Sequence, residues 1–274
     1  MGSTPMTQPE RQIRTFAGLR RLIAVLRSPD GCPWDRVQTH QSLRHHLTEE
    51  ASETLSALDE GDPAKLKEEL GDLLLQIVLQ TQISEESREF VMADVIEGIA
   101  TKLVRRHPHV FGEAVAETPD AVVEQWEEIK RGERNGASAL AGVPPTLPAL
   151  SQAQTIQRRA GKTGFQWDTE EQAWDAVHEE LSELRAAATP EERRAETGDA
   201  LFALANLARF LDVDAEEALR STCGGFSKRF RYVEQVAGER SVDLLQADLQ
   251  TKLTLWEEAK SKSPKQYALK EEDR

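Results

Sequence analysis

One acidic signature occurs twice in this chain. Glu49-Glu50-x-x-Glu53 followed by Glu69-x-x-Asp72 returns as Glu179-Glu180-x-x-Glu183 followed by Glu196-x-x-Asp199. At ~100° of turn per residue, Glu49, Glu50 and Glu53 share one sector of a helix, and Glu69 and Asp72 share a face of the next. The carboxylates of each copy then converge between two helices. Like charges so close in a partly dry groove repel and raise one another's pKa values unless a cation neutralises them. Oxygen-only ligands suit hard ions, so Mg²⁺ is the first choice and Mn²⁺ a substitute. The bland alternative is a solvated face on acidic helices, which a chain with 48 acidic residues readily supplies.

The recurring setting weakens that alternative. Gly31-Cys32-Pro33-Trp34-Asp35 precedes the first copy and Gly164-Phe165-Gln166-Trp167-Asp168 the second, and both second helices read Glu-x-Gly-Asp-x-Leu, at Glu69–Leu74 and Glu196–Leu201. The offset between copies shrinks along the chain, as short loop deletions produce in a duplicated domain. A chain of 274 residues accommodates two such domains, each with its own core.

Helical periodicity dominates, at Phe16 to Leu26, Leu43 to Leu58, Ala64 to Ile83 and Val91 to Arg106, and strand signals are nearly absent. Asp62-Pro63 and Thr189-Pro190 mark turns that start the second acidic helix of each copy. In the second half, helices are expected over Leu150 to Arg159, Glu179 to Ala187, Glu191 to Leu211, Phe226 to Val236 and Leu244 to Lys260. Gly136, Gly142, Pro144, Pro145 and Pro148 break the periodicity. The expected organisation is a disordered N-terminus over 1–12, a first domain over 13–131, a linker over 132–148 and a second domain over 149–274. Leu73, Leu74, Leu75, Ile77, Val78 and Leu79 cover most of a helix circumference, which calls for burial on more than one side in an intimate, dimerised all-α bundle.

A net charge of −14 argues against a nucleic-acid polymer as partner, though a metal in an acidic groove still admits a small phosphate compound. No apolar run reaches membrane-span length and the polar opening lacks a signal-peptide core, so no membrane partner and a cytoplasmic location are expected. Cys32 and Cys223 offer neither a disulfide framework nor a zinc site.

The first half closely resembles the MazG family of nucleoside triphosphate pyrophosphohydrolases. The resemblance is carried by Gly31-Cys32-Pro33-Trp34-Asp35, Glu49-Glu50-x-x-Glu53, Glu68-Glu69-Leu70-Gly71-Asp72-Leu73-Leu74 and the run from Lys102 to Phe111, Lys-Leu-Val-Arg-Arg-His-Pro-His-Val-Phe; the similarity extends to the second half. It implies an all-α, homodimeric, Mg²⁺-dependent enzyme of duplicated helical-bundle domains that hydrolyses ribo- or deoxynucleoside triphosphates to the monophosphate and pyrophosphate, in nucleotide-pool housecleaning. By position, it makes Glu49, Glu50, Glu53, Glu69 and Asp72 metal ligands or their supports, and brings Lys102, Arg105 and Arg106 to the triphosphate. Direct metal contact is assigned to Glu50, Glu53 and Asp72, with Glu49 or Glu69 adding a ligand or orienting water. The second site keeps Glu179, Glu180, Glu183, Glu196 and Asp199, but Cys223 and Gly225 stand where relatives carry asparagine and lysine. Lys228, Arg229 and Arg231 are its compensating cations. The first domain is therefore expected to carry the turnover, the alternatives being two active domains or a second domain that only regulates or dimerises.

Other residues have two readings. Trp34 and Trp167 either stack on a base or anchor their loops; Asp35 and Asp168 are expected to cap helices. His107 and His109, around Pro108, are read as turn residues before metal ligands, and His45 and His46 as partly exposed helix positions. Glu127-Glu128 and Glu257-Glu258 read as solvated faces beside the helix anchors Trp126 and Trp256. A di-iron carboxylate bundle needs Glu-x-x-His on two helices, which neither acidic motif contains. A non-catalytic interaction protein remains a rival for the second half.

Overall fold

Proline and short polar caps decide where the helices begin. The computed structural model of the chain describes residues 14–133 and 136–262, outside which the expected disordered tail at 1–12 lies. Among the described residues there are helices and no strands. The chain divides into two compact units, Met1–Asn135 and Gly136–Arg274.

In unit 1 the helices are α1 (Phe16–Arg27), α2 (Pro33–Arg36), α3 (Arg44–Glu60), α4 (Pro63–Ser87), α5 (Met92–Arg106), α6 (Pro108–Phe111) and α7 (Pro119–Glu133). Between α3 and α4 lie only Gly61, in the left-handed conformation at φ 65°, and Asp62, whose Oδ1 accepts from the N–H groups of Ala64 and Lys65. So short a connection makes α3 and α4 an antiparallel hairpin. Ile23, Leu43, Val78, Leu79, Ile83 and Met92 form the core beneath it. α2 and the turn after it are tied to this core by Arg27, which donates to the carbonyls of Asp35 (2.5 Å) and Gln38 (3.2 Å) and pairs with Glu86 at 2.8 Å. The loop before α2 folds back on α1 through the Cys32 N–H, which donates to the Leu26 carbonyl at 2.7 Å. Gly31 is required there by close approach, since a Cβ would stand 2.3 Å from the carbonyl oxygens of Val25 and Leu26.

Unit 2 holds α8 (Ala149–Gly161), α9 (Glu170–Ala186), α10 (Pro190–Phe210), α11 (Ala215–Glu239) and α12 (Leu249–Lys262). Its α9 and α10 form a second hairpin, with Thr189 and Glu192 in a reciprocal capping box at the start of α10. Gln154 and Gln157 lock α8 onto α10 through the carbonyls of Ala205 (3.1 Å) and Phe202 (2.7 Å). Ala173, Val177 and Leu207 make one core; Val233, Val236, Ala237, Leu255 and Ala259 make another between α11 and α12.

Several boundaries differ from the sequence reading. α9 begins at Glu170 because Thr169 and Gln172 form a capping box there, and α11 begins at Ala215 because Asp214 accepts from the Glu217 N–H. α12 begins only at Leu249, after turns held by Asp243 and Asp248. The capping role expected of Asp35 and Asp168 is corrected: Pro33 starts α2 behind Cys32, placing Asp35 inside its first turn, and Thr169 caps α9. Glu258, expected on a solvated face, accepts from Tyr232 (2.8 Å) and Arg240 (3.0 Å). On α4, the stripe Leu70, Leu74 and Ile77 stays exposed in the single chain while Val78, Leu79 and Ile83 are buried.

Candidate metal centre

The α3–α4 hairpin sets the site. Along α3, Glu50, Thr54 and Ala57 fall on the side packed against α4, and the two small residues are buried. Thr54 turns its hydroxyl back onto the Glu50 carbonyl at 2.8 Å, so it adds no unpaired polar group to the seam. Along α4, Glu69, Asp72 and Gln76 share a face. The result is that carboxylate oxygens of Glu50, Glu69 and Asp72 all lie within 4.8 Å of one another.

Burial and its acidic neighbours hold Glu50 above the usual carboxylate range: desolvation is the largest cause, then Asp72 and Glu53, with a hydrogen bond from Gln76 opposing them. Glu69 is raised by desolvation, Glu53 and Glu68, against the nearby Lys65. Glu53 therefore acts on both groups from the edge of the trio. Glu49 is exposed and turned to His45 and His46, at 3.0 and 3.4 Å. Three self-repelling carboxylates with no soft ligand fit a hard divalent cation.

In unit 2 a different trio converges, Glu180, Glu183 and Glu196. Glu180 is raised by desolvation, then by Asp199, Glu183, Glu196 and Glu179; Glu196 is raised by desolvation, by Glu183 and Asp199, and by a hydrogen bond shared with Glu183.

Among the described residues no ion pair joins Lys102, Arg105 or Arg106 to these carboxylates. Arg105 and Arg106, in the last turn of α5, both grip Glu133, at 2.6 and 2.5 Å, and Lys102 has no ion pair among the described residues. Lys228 is exposed on α11, and the Arg229 guanidinium lies 3.8 Å from where a Gly225 Cβ would stand. Trp34 is 55% exposed, with its ring edge-on to His46 at 6.1 Å. His107 bonds the Leu103 carbonyl and packs on Trp126, while His109 bonds Gln125. Three residues of this neighbourhood escaped the sequence reading: Gln76, Lys65 and Thr54. Gln76 is the one with a legible signal, one turn beyond Asp72 on the same face.

The chain is 42% identical over 247 residues to the nucleoside triphosphate pyrophosphohydrolase/pyrophosphatase MazG of Thermotoga maritima, covering 89% of this chain and 95% of that protein. This chain belongs to the MazG family. Residues 38–111 match the MazG nucleotide pyrophosphohydrolase domain, a span that includes α3, α4 and α5. The nucleoside triphosphate pyrophosphohydrolase of Escherichia coli is 40% identical over 252 residues, 88% of this chain and 96% of that protein. A MazG relative of the same name in Mycobacterium tuberculosis is 33% identical over 205 residues, 74% of this chain and 54% of that longer protein. No helix of the described residues is long and apolar enough to cross a membrane.

Proposed function

We propose that this chain is a nucleoside triphosphate pyrophosphohydrolase that cuts ribo- or deoxynucleoside triphosphates between the α and β phosphates, with unit 1 carrying most of the turnover. The observation that carries the reading is the meeting of Glu50, Glu69 and Asp72 at one point of the hairpin in a MazG-family chain. These three residues would hold Mg²⁺, or Mn²⁺ in its place. When bound, the cation supplies charge neutralisation for the phosphate oxygens and acidifies a water. Glu53 or Glu49, outside the trio and exposed, would accept the proton that the attacking water loses. Lys102, Arg105 and Arg106 take the departing pyrophosphate, the two arginines leaving Glu133 to do so. Trp34, open on one side, stacks on the base.

Unit 2 is the weaker site in this reading. Asp199 lies outside its trio and Gly225 offers no cation, so it serves regulation or assembly. The repeated motifs are read as a duplication. The exposed stripes on α4 (Leu70, Leu74, Ile77) and α5 (Val95, Ile96, Ile99, Leu103) support a homodimer in which a second copy covers them, since only Met92 of α5 is buried in the chain alone. A cytoplasmic housecleaning role belongs to the same proposal.

The metal reading is checked by rate measurements. Excess chelator is expected to abolish nucleotide turnover, and Mg²⁺ or Mn²⁺ added past the chelator to restore it. Turnover that persists undiminished in chelator would overturn the metal site.

A further inference from the structure

Gln76 is a neutral side chain set among carboxylates. It is 5% exposed, on the stripe of α4 that carries Glu69 and Asp72. Across the α3–α4 seam its amide neighbours the Glu50 carboxylate and opposes the rise in that group's pKa. Its carbonyl oxygen is buried and has no hydrogen-bond partner in the structure. A buried amide oxygen without a donor costs stability, and an apolar side chain of similar size would avoid that cost. Packing alone therefore does not account for a glutamine here.

Unit 2 carries the apolar solution. Four residues after Asp199, where Gln76 follows Asp72 in unit 1, stands Ala203, packed against the core of Ala173, Val177 and Leu207. There Glu180 converges with Glu183 and Glu196, and the trio leaves Asp199 out. The two hairpins share their acidic residues and differ at this position, and they gather different ligand sets.

We infer that Gln76 is a positioning residue that holds the Glu50 carboxylate against Glu69 and Asp72, and so selects the ligand set of unit 1. One N–H donor on Glu50 fixes that carboxylate while leaving it lone pairs for a cation, as partners behind metal ligands do elsewhere. The inference rests on the metal reading of the unit 1 cluster.

The test is Mn²⁺ binding to the full-length protein, followed by the electron paramagnetic resonance of the free ion, alongside thermal melts without metal. The class of sites that Glu50→Gln removes defines unit 1. Gln76→Leu is expected to weaken that class by about 10- to 100-fold without lowering the metal-free melting temperature. Gln76→Met, unbranched, repeats the measurement with a side chain that packs differently. Unchanged Mn²⁺ affinity in both variants overturns the inference. So does a weakening that tracks a fall in metal-free melting temperature in both, which would make Gln76 a packing residue alone. If Glu50→Gln removes no Mn²⁺ binding, the metal reading itself falls and this inference with it.

Discussion

Replacing Glu50 by glutamine is expected to cut nucleotide turnover on the order of a thousandfold, about 4 kcal/mol of transition-state stabilisation, while the metal-free protein melts at a higher temperature. The two effects have one cause. Glu50 is the group in which burial and the charges of Asp72, Glu53 and Glu49 act together against ionisation. A cluster of this kind costs folding free energy at neutral pH and is kept because a cation needs it. Glutamine keeps the acceptor for the Gln76 N–H, has nearly the same shape, and removes one negative charge. Stability should rise where activity is lost, the trade-off expected of a strained functional site. Glu180→Gln, in unit 2, is expected to relieve the same repulsion and leave most of the turnover in place. Steady-state rates and melts of both full-length variants decide the matter. Turnover lost in Glu180→Gln and kept in Glu50→Gln would move the working site to unit 2.

The second large effect is a pH-dependent stabilisation by Mg²⁺. Glu50 and Glu69 have folded-state pKa values raised above the ordinary glutamate value. Such groups contribute stability that is fully present below the unfolded pKa and is lost as pH rises through the folded one. At neutral pH both are ionised and repel, and a cation bound to the folded chain offsets that cost. A hundredfold excess of ligand over its Kd is worth about 2.7 kcal/mol, on the order of 10 °C in melting temperature for a unit of this size. Near the ordinary glutamate value protons occupy the same oxygens, and the increment should shrink toward zero. Glu86, held low by the Arg27 guanidinium, works in the opposite sense: its stabilisation is present above the unfolded pKa and lost as pH falls. The Mg²⁺-dependent increment, measured at each pH against chelator, separates the cluster from such pairs. An increment that stays constant from acidic to neutral pH would contradict the raised carboxylates.

Much of this architecture is written in local signals. Asp62-Pro63 and Thr189-Pro190 start α4 and α10 because proline suits the first turn and the preceding side chain caps it. The starts of α9 and α11 were harder to see. Thr169 with Gln172 and Asp214 with its acidic first turn are caps set ahead of weakly apolar stretches, so periodicity gave no warning. At the site, the carboxylates were legible because charge repetition at helical spacing is conspicuous. Gln76, one turn beyond Asp72, was legible as a position on that face and not as a functional residue, because a neutral amide in an apolar helix resembles a core compromise until its neighbour across the seam is known. The cations were legible as residues and not as places: Arg105 and Arg106 face Glu133, a tertiary pairing that no local spacing announces.

The most direct measurement is the identity of the products. The full-length protein is incubated with each common nucleoside triphosphate and Mg²⁺, and monophosphate, diphosphate, pyrophosphate and phosphate are resolved by anion exchange. Monophosphate with equimolar pyrophosphate is the result expected of cleavage between the α and β phosphates at the hairpin cluster. Diphosphate with inorganic phosphate, or no product with any of these nucleotides, would contradict it.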